Sequence, residues 1–370
     1  MADFSDKNIL VVGGAGFVGS NLCHKLVDQG PAKLVVVDNL LSSDPCNLPD
    51  HPAVDFRFGS IADERVLREL PDDLDYVFQL ACYHGNQSSM HDPIADHDNN
   101  TLTTLMLFER LKEQKKLTKV VYAAAGCAVA EKTYDEAEAT AEDAPVSLYH
   151  DSPYSISKLI GEMYGNYYWR QHGLPFVKAR FQNVYGPREI LGAGRWRGTV
   201  HTVWRNVTPV FIFRSLMGEA LPLDNGGQTS RDFIFVEDMA RGLMAAALKG
   251  EPGEIYNLAS GRETTIRELA ETINHLTGNA TPVDLKPARD WDRSGRRFGD
   301  PAKAKSKLGF EAEVQIEEGL AKTVAWTRDH LDEIHRCMAQ HRSQMPELNP
   351  YLRGRGPSQG TPATGAADAA

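Results

Sequence analysis

The 370-residue chain contains no apolar run near the roughly 20 residues needed to cross a bilayer, and its first residues, MADFSDKN, form no basic-plus-apolar leader. Membrane insertion and export are therefore not expected, and a cytoplasmic protein is. Cysteine is scarce: Cys23, Cys46, Cys82, Cys127 and Cys337 are scattered, odd in number and without the paired spacing of a zinc site. Neither a disulfide framework nor a structural metal is expected from them. An excess of positive charge is also missing. Forty Lys and Arg against 50 Asp and Glu leave a net charge of -10 with His neutral, which works against nucleic acid or an anionic membrane as a partner. His84, His91 and His97 tempt a metal reading, but their spacings suit no helix face, so no metal is expected there. No internal repeat is visible. What is present is 42% hydrophobic residues, enough for one large or two modest domains with cores of their own.

From Lys7 onward, short β-branched runs alternate with amphipathic stretches: NILVVGG, SNLCHKLVDQG, KLVVVDN, ERVLREL, YVFQLAC. That alternation predicts an α/β fold, a doubly wound parallel sheet covered by helices on both faces. TLTTLMLFERLKEQKK and SPYSISKLIGEMYGNYYWRQHG read as helices, the second behind an Asp/Ser/Pro start signal, and its Tyr and Trp residues read as packing. KVVYAAA and PFVKARFQNVYGP read as strands. After Gly186 the pattern loosens, and RDFIFVEDMARGLMAAAL with EIYNLAS reads as a return to the sheet. The Gly/Pro/Ala-rich end, about residues 350–370, is expected to be disordered.

Within ILVVGGAGFVGSNL, Gly14, Gly16 and Gly19 form a G-x-G-x-x-G between a strand and a helix, and Gly13 adds an overlapping G-x-x-G-x-x-G. Glycines there let a pyrophosphate approach the helix N-terminus, whose free N–H groups and dipole attract it. Asp38 ends the next strand, where a carboxylate can bind ribose hydroxyls and repel a 2′-phosphate, so NAD is expected rather than NADP. Tyr154 and Lys158, at i and i+4 in YSISK, share a helix face. The ammonium and a positive nicotinamide are expected to lower the phenol pKa toward that of a general base on an alcohol.

GGAGFVGS, VFQLA, YSISK, ARFQNVYGP and TSRDFIFVEDMARG, all in order, make the sequence resemble the extended short-chain dehydrogenase/reductase family, in particular its nucleotide-sugar epimerases, dehydratases and decarboxylases. The resemblance runs from about Asn8 to Trp326. It implies a Rossmann-type domain over residues 1–185 plus about 230–260, and a smaller mixed C-terminal substrate lobe over about 186–229 plus 261–345. It implies retained NAD, a nucleoside-diphosphate sugar substrate and a homodimer through helices equivalent to Thr101 to Lys115 and Pro153 to Gln171. By position, Tyr154 is the base, Lys158 holds the ribose, and Asn183 and Arg231 bind the diphosphate. Arg297, or its neighbour Arg296, resembles a second arginine on the nucleotide. The candidate cofactor contacts are Gly13, Gly16, Phe17, Val18, Asp38, Asn39, Ala81, Tyr154 and Lys158.

One part of the pattern is missing. In this family the strand that reads VVYAAAGC here usually supplies a Ser or Thr hydroxyl at the position of Ala125, and alanine has none to give. Ser88, Ser89 and Gln87 are the substitutes expected. Dehydratases and decarboxylases tend to carry an acidic residue just after this position; Gly126 and Cys127 stand there instead. Cys127 reads either as a small buried hydrophobe or, because its position matches the carbon acid/base of GDP-mannose 3,5-epimerase, as a base beside a C4 ketone. The second use would need an acid on the opposite face, for which Arg195, Arg197 and His201 are candidates. The expectation is an NAD-dependent epimerase working through a transient 4-keto sugar, C4 inversion favoured. The alternatives are a dehydratase or decarboxylase, a Cys127-assisted C3/C5 epimerase, and, from another class, a silent NAD and sugar-nucleotide binder motivated by Ala125.

Overall fold

The computed structural model describes residues 3–129, 135–289 and 295–352. Among them, seven strands form one parallel sheet in the order β11-β7-β5-β4-β1-β2-β3. They are β1 (Asn8–Val12), β2 (Lys33–Asp38), β3 (Val54–Phe58), β4 (Tyr76–Gln79), β5 (Lys119–Ala125), β7 (Phe176–Phe181) and β11 (Ile255–Leu258). The central runs NILVV and KVVYAAA are apolar on both faces because helices cover both sides, as parallel sheets require. The chain winds outward from β1 to β3, then crosses to β4 on the other side of β1. At such a reversal the loops after the two strands part and leave a crevice at their C-terminal ends. Gly13 and Ala81 follow β1 and β4 there: a Cβ on Gly13 would lie 2.6 Å from the Ala81 amide nitrogen, and Gly13 has φ +83°.

The long helix Pro153–His172 starts where its sequence signals it. Ser152 caps it by accepting from Ser155 N at 3.4 Å, Pro153 takes the first turn, and Gly173 ends it at φ +69°. It packs on β5, which sets Tyr154 and Lys158 against the end of that strand. The helix expected in TLTTLMLFERLKEQKK begins upstream with a π-helical turn at His97–Leu102 and continues as Thr103–Leu111.

Two strand readings are corrected. PFVKARFQNVYGP is not one strand: β7 ends at Phe181, and β8 (Asn183–Tyr185) belongs to a different sheet. Gln182 is the break, its amide filling the space that the missing side chains of Gly126 and Gly299 leave. RDFIF does not return to the main sheet either. As β10 (Ser230–Phe235) it pairs with β8 and with β12 (Glu263–Thr265) in a three-stranded sheet. What returns is the helix Val236–Lys249, packed on Phe17–Val27, followed by β11 at the sheet edge. Two small parallel pairs complete the strands: β6 (Ala139–Thr140) with β14 (Phe298–Gly299), and β9 (Pro222–Asp224) with β13 (Asp284–Lys286).

The three-stranded sheet and the helices Val207–Leu216, Ile266–Thr277 and Ile316–Asp329 enclose a core of their own around Phe211, Phe233 and Leu269. A further apolar cluster joins the segment after Gly186, through Ile190, Leu191 and Val203, to the helix Leu331–Ala339 and Leu348. Asn349–Leu352 forms a helical turn, so the expected tail starts no earlier than residue 353; residues 353–370 lie outside the described residues. Ala130 to Lys132, the end of VVYAAAGCAVAEK, and residues 290–294 also lie outside them. No helix of the described residues is long and apolar enough to cross a membrane.

Candidate active site

A cavity of about 690 Å³ opens at the C-terminal ends of β1 and β4 and extends to the three-stranded sheet. Its first end is shaped by backbone. Gly13, Gly16, Phe17, Val18, Asp38, Asn39 and Ala81 all line it. A Cβ on Gly19 would collide with the Gly13 carbonyl, so the turn closes only without side chains. Asp38 Oδ2 accepts from Ala15 N at 3.0 Å, while Oδ1 accepts from Leu40 N and Ser43 Oγ, both at 2.8 Å. Burial pushes this carboxyl up and those donors pull it down. Asn39 Oδ1 accepts from Leu41 N at 3.0 Å, which fixes the turn beyond Asp38. A tight glycine turn at a helix start with an oriented carboxylate beyond it fits the pyrophosphate and ribose of a dinucleotide.

The middle of the cavity holds Tyr154 and Lys158. Lys158 is buried, its Nζ donating to Ala123 O at 2.9 Å and lying 5.9 Å from the Tyr154 ring centre. The Tyr154 phenol is not lowered by the chain's own groups. Burial pushes it well above its ordinary value, and Cys82 and Cys127 add to the rise, because one ammonium does not offset the desolvation of a phenolate. Ala123, Ala124, Ala125 and Cys127 form the facing wall, with Cys127 Sγ 3.8 Å from Ser155 Oγ.

Ser88 and Gln87 line the cavity. Ser89 does not: its hydroxyl donates to Asn86 O at 2.8 Å and accepts from Tyr154 N at 3.1 Å, so it holds the start of the Tyr154 helix. Of the residues considered for an opposite acid, His201 lines the cavity, Arg195 is exposed, and Arg197 is buried behind the wall.

The far end is rich in guanidinium groups. Asn183, at the start of β8, and Arg231, on β10, line it together with Arg297. Arg231 Nη1 donates to Gly295 O at 2.7 Å. Arg296 and Arg297 are placed differently. Arg296 makes a two-pronged pair with Glu263, at 2.8 Å on each side, whereas Arg297 lines the cavity. Arg188, Arg205, Arg214 and Arg289 also line it, and no motif pointed to them. Nor did any motif point to Glu189, a buried carboxyl that burial pushes up to about 7 and that accepts from Asn206 Nδ2. His84 was weighed only for a metal and Cys82 only for a disulfide or zinc site, although both follow the strand YVFQ, whose end marks the crevice, and both line the cavity.

Known proteins share this fold. The Bordetella bronchiseptica enzyme WbmF, solved with NAD+, is 56% identical, with a TM-score of 0.83 over 93% of this chain and 99% of that one. UDP-glucose 4-epimerase from Thermotoga maritima, solved with UDP-glucose, is 33% identical, with a TM-score of 0.79 over 88% of this chain and 99% of that one. A putative UDP-glucose 4-epimerase of Methanocaldococcus jannaschii is 30% identical over 324 residues, 87% of this chain and 99% of the relative. The description of the NAD dependent epimerase/dehydratase family matches residues 9–259, from the first strand to just past the last strand of the main sheet, and the chain belongs to that family of enzymes.

Proposed function

We propose that the protein is an NAD-dependent epimerase of a nucleoside-diphosphate sugar, acting through a transient 4-keto sugar with Tyr154 as the base. The observation that carries this reading is the line of the cavity: a dinucleotide-shaped glycine turn, then Tyr154 and Lys158, then Asn183, Arg231 and Arg297. When bound, NAD supplies a reversible two-electron acceptor for a sugar carbinol. The chain's own residues do the rest. Lys158, held by Ala123 O, keeps a positive charge beside the Tyr154 ring. Tyr154 takes the hydroxyl proton from the sugar and returns it, and Ser89 fixes its position by accepting from its backbone N–H. Guanidinium groups at the far end suit a diphosphate, whose oxygens they bind in a two-pronged fork. WbmF has been solved with NAD+ and UDP together, which supports a uridine nucleotide at that end. The positions after Ala125 are Gly126 and Cys127, neither a carboxylate, which favours epimerisation over dehydration or decarboxylation.

A second reading is favoured by Cys127, whose thiol lines the cavity beside Tyr154: inversion at C3 or C5 by proton removal next to the ketone. One experiment separates the two. Proton NMR of the protein with UDP-, dTDP-, GDP- and CDP-sugars in heavy water is expected to show a C4 epimer without deuterium. Deuterium at C3 or C5 replaces that reading with the Cys127 one, and no turnover of any sugar overturns both. The assembly we propose is a homodimer through the helix Pro153–His172 and its neighbour. Ile156, Met163 and Tyr167, each at least 44% exposed, make an apolar stripe along that helix, which supports it.

A further inference from the structure

We propose that His84 is a catalytic residue whose ring N–H donates a hydrogen bond to the sugar oxygen on which Tyr154 acts. The assignment rests on the reading of the site given above and adds a group to it. The wall facing Tyr154 consists of three alanines and offers no side-chain donor before Cys127. Two neighbouring hydroxyls are engaged elsewhere: Ser89 holds Asn86 O and Tyr154 N, and Ser155 lies against Ser152 Oγ at 3.3 Å, whereas Ser88 and Gln87 line the cavity. His84 is the aromatic neighbour of the phenol, its ring edge-on to Tyr154 with 5.8 Å between centroids, and it lines the same cavity. Neither of its ring nitrogens has a hydrogen-bond partner among the described residues, while its backbone is held firmly.

That hold is Arg197. Its guanidinium is buried, stacks over Tyr83 at 5.3 Å, and donates to His84 O at 3.1 Å and to His201 O at 3.2 Å. One cation thus pins the loop after β4, at the backbone of His84, to the segment after Gly186. Burial, with Arg197, Arg205 and Lys158 nearby, pushes the imidazole down to about 3, so it is neutral at any working pH. A neutral ring has one N–H donor and does not hand its proton to a phenolate. The proton that moves is the sugar's, from its hydroxyl to Tyr154 Oη and back. His84 keeps its own and stabilises the oxygen as charge develops on it, which is how a fixed donor speeds such a step.

The test compares His84→Phe, which keeps the ring packing but removes the donor, with His84→Gln, which puts a donor back, on whichever sugar of the panel the wild type turns over. His84→Phe is expected to lower kcat about 10²- to 10³-fold, as for other lost donors of this kind. KM and UDP binding by calorimetry should change little, and His84→Gln should recover at least a factor of about ten of the loss. Tyr154→Phe is run beside them. If Tyr154→Phe is inactive while His84→Phe keeps kcat within about threefold, the His84 assignment is overturned and the wider reading stands. If both variants keep wild-type kcat, or the wild type turns over no sugar, the wider reading fails and takes the assignment with it. A His84→Phe protein that loses UDP binding along with kcat also overturns it, since the side chain would then be structural.

Discussion

The two ends of the cavity are built by different means. The cofactor end is made of contiguous sequence and backbone shape: Gly13 to Gly19 and Asp38 come from one β-α-β unit, and the groups that matter are N–H donors and the absence of side chains. The substrate end is assembled from distant segments and works through charge: Asn183, Arg231 and Arg297 arrive from two strands and a loop, joined by Arg214 and Arg289. The contrast shows why a protein with a net charge of -10 can still present a strongly cationic site. Local concentration of guanidinium in a concave, low-dielectric wall outweighs the overall balance.

Five substitutions sharpen or break that comparison. The largest effect is expected between the two ends, at Tyr154→Phe, which keeps the ring against His84 and removes the hydroxyl proposed as the base. Turnover should fall about 10³-fold, in the range for loss of a positioned general base, with NAD and UDP affinities by calorimetry unchanged. At the cofactor end, Gly13→Ala puts a methyl group 2.6 Å from the Ala81 amide at a φ of +83°. The strain should cost about 2–3 kcal/mol of stability in denaturant titration and weaken NAD about 100-fold, while UDP binding is retained. At the substrate end, Arg297→Ala should weaken UDP about 10- to 30-fold by calorimetry, the loss of a charge-assisted bond. Arg296→Ala should change it less than about threefold, because that guanidinium is occupied by Glu263. Equal losses in the two variants would remove the distinction drawn between them.

A further test is a pH slope in stability. Burial raises the Glu189 carboxyl from 4.5 to about 7 in the fold. The folded chain therefore holds a proton that the unfolded chain has released. The stability this adds is complete below the unfolded value and is lost as pH rises through about 7. Thermal unfolding of Glu189→Gln between pH 5 and 8 should lack that part of the slope, on the order of 3 kcal/mol at most. An unchanged slope would mean that Glu189 stays charged, held by Arg205.

Legibility follows the same division. The glycine turn, Asp38, and the Tyr154–Lys158 pair were readable because each is a short-range pattern whose spacing maps directly onto a turn or a helix face. The phenol's burial was not legible: the sequence shows the ammonium one turn away but not the desolvation that, in the chain alone, pushes the phenol up. Ser88 and Ser89 are adjacent in sequence and face different ways, one lining the cavity and one bonding to Tyr154 N, a difference that only the short helix Asn86–His91 decides. Likewise RDFIF has the composition of a buried strand in either sheet; the break at Gln182 and pairing with β8 chose the smaller one.

The sequence by itself determined the parallel sheet, the dinucleotide turn and the pairing of Tyr154 with Lys158 on one helix face, because hydrophobic period, glycine placement and i, i+4 spacing are local. Only the tertiary structure decided which arginine reaches the cavity, which serine does not, and that His84 stands beside the phenol with Arg197 behind it. Those outcomes depend on contacts between residues as far apart as 84 and 197, where no local pattern carries the information.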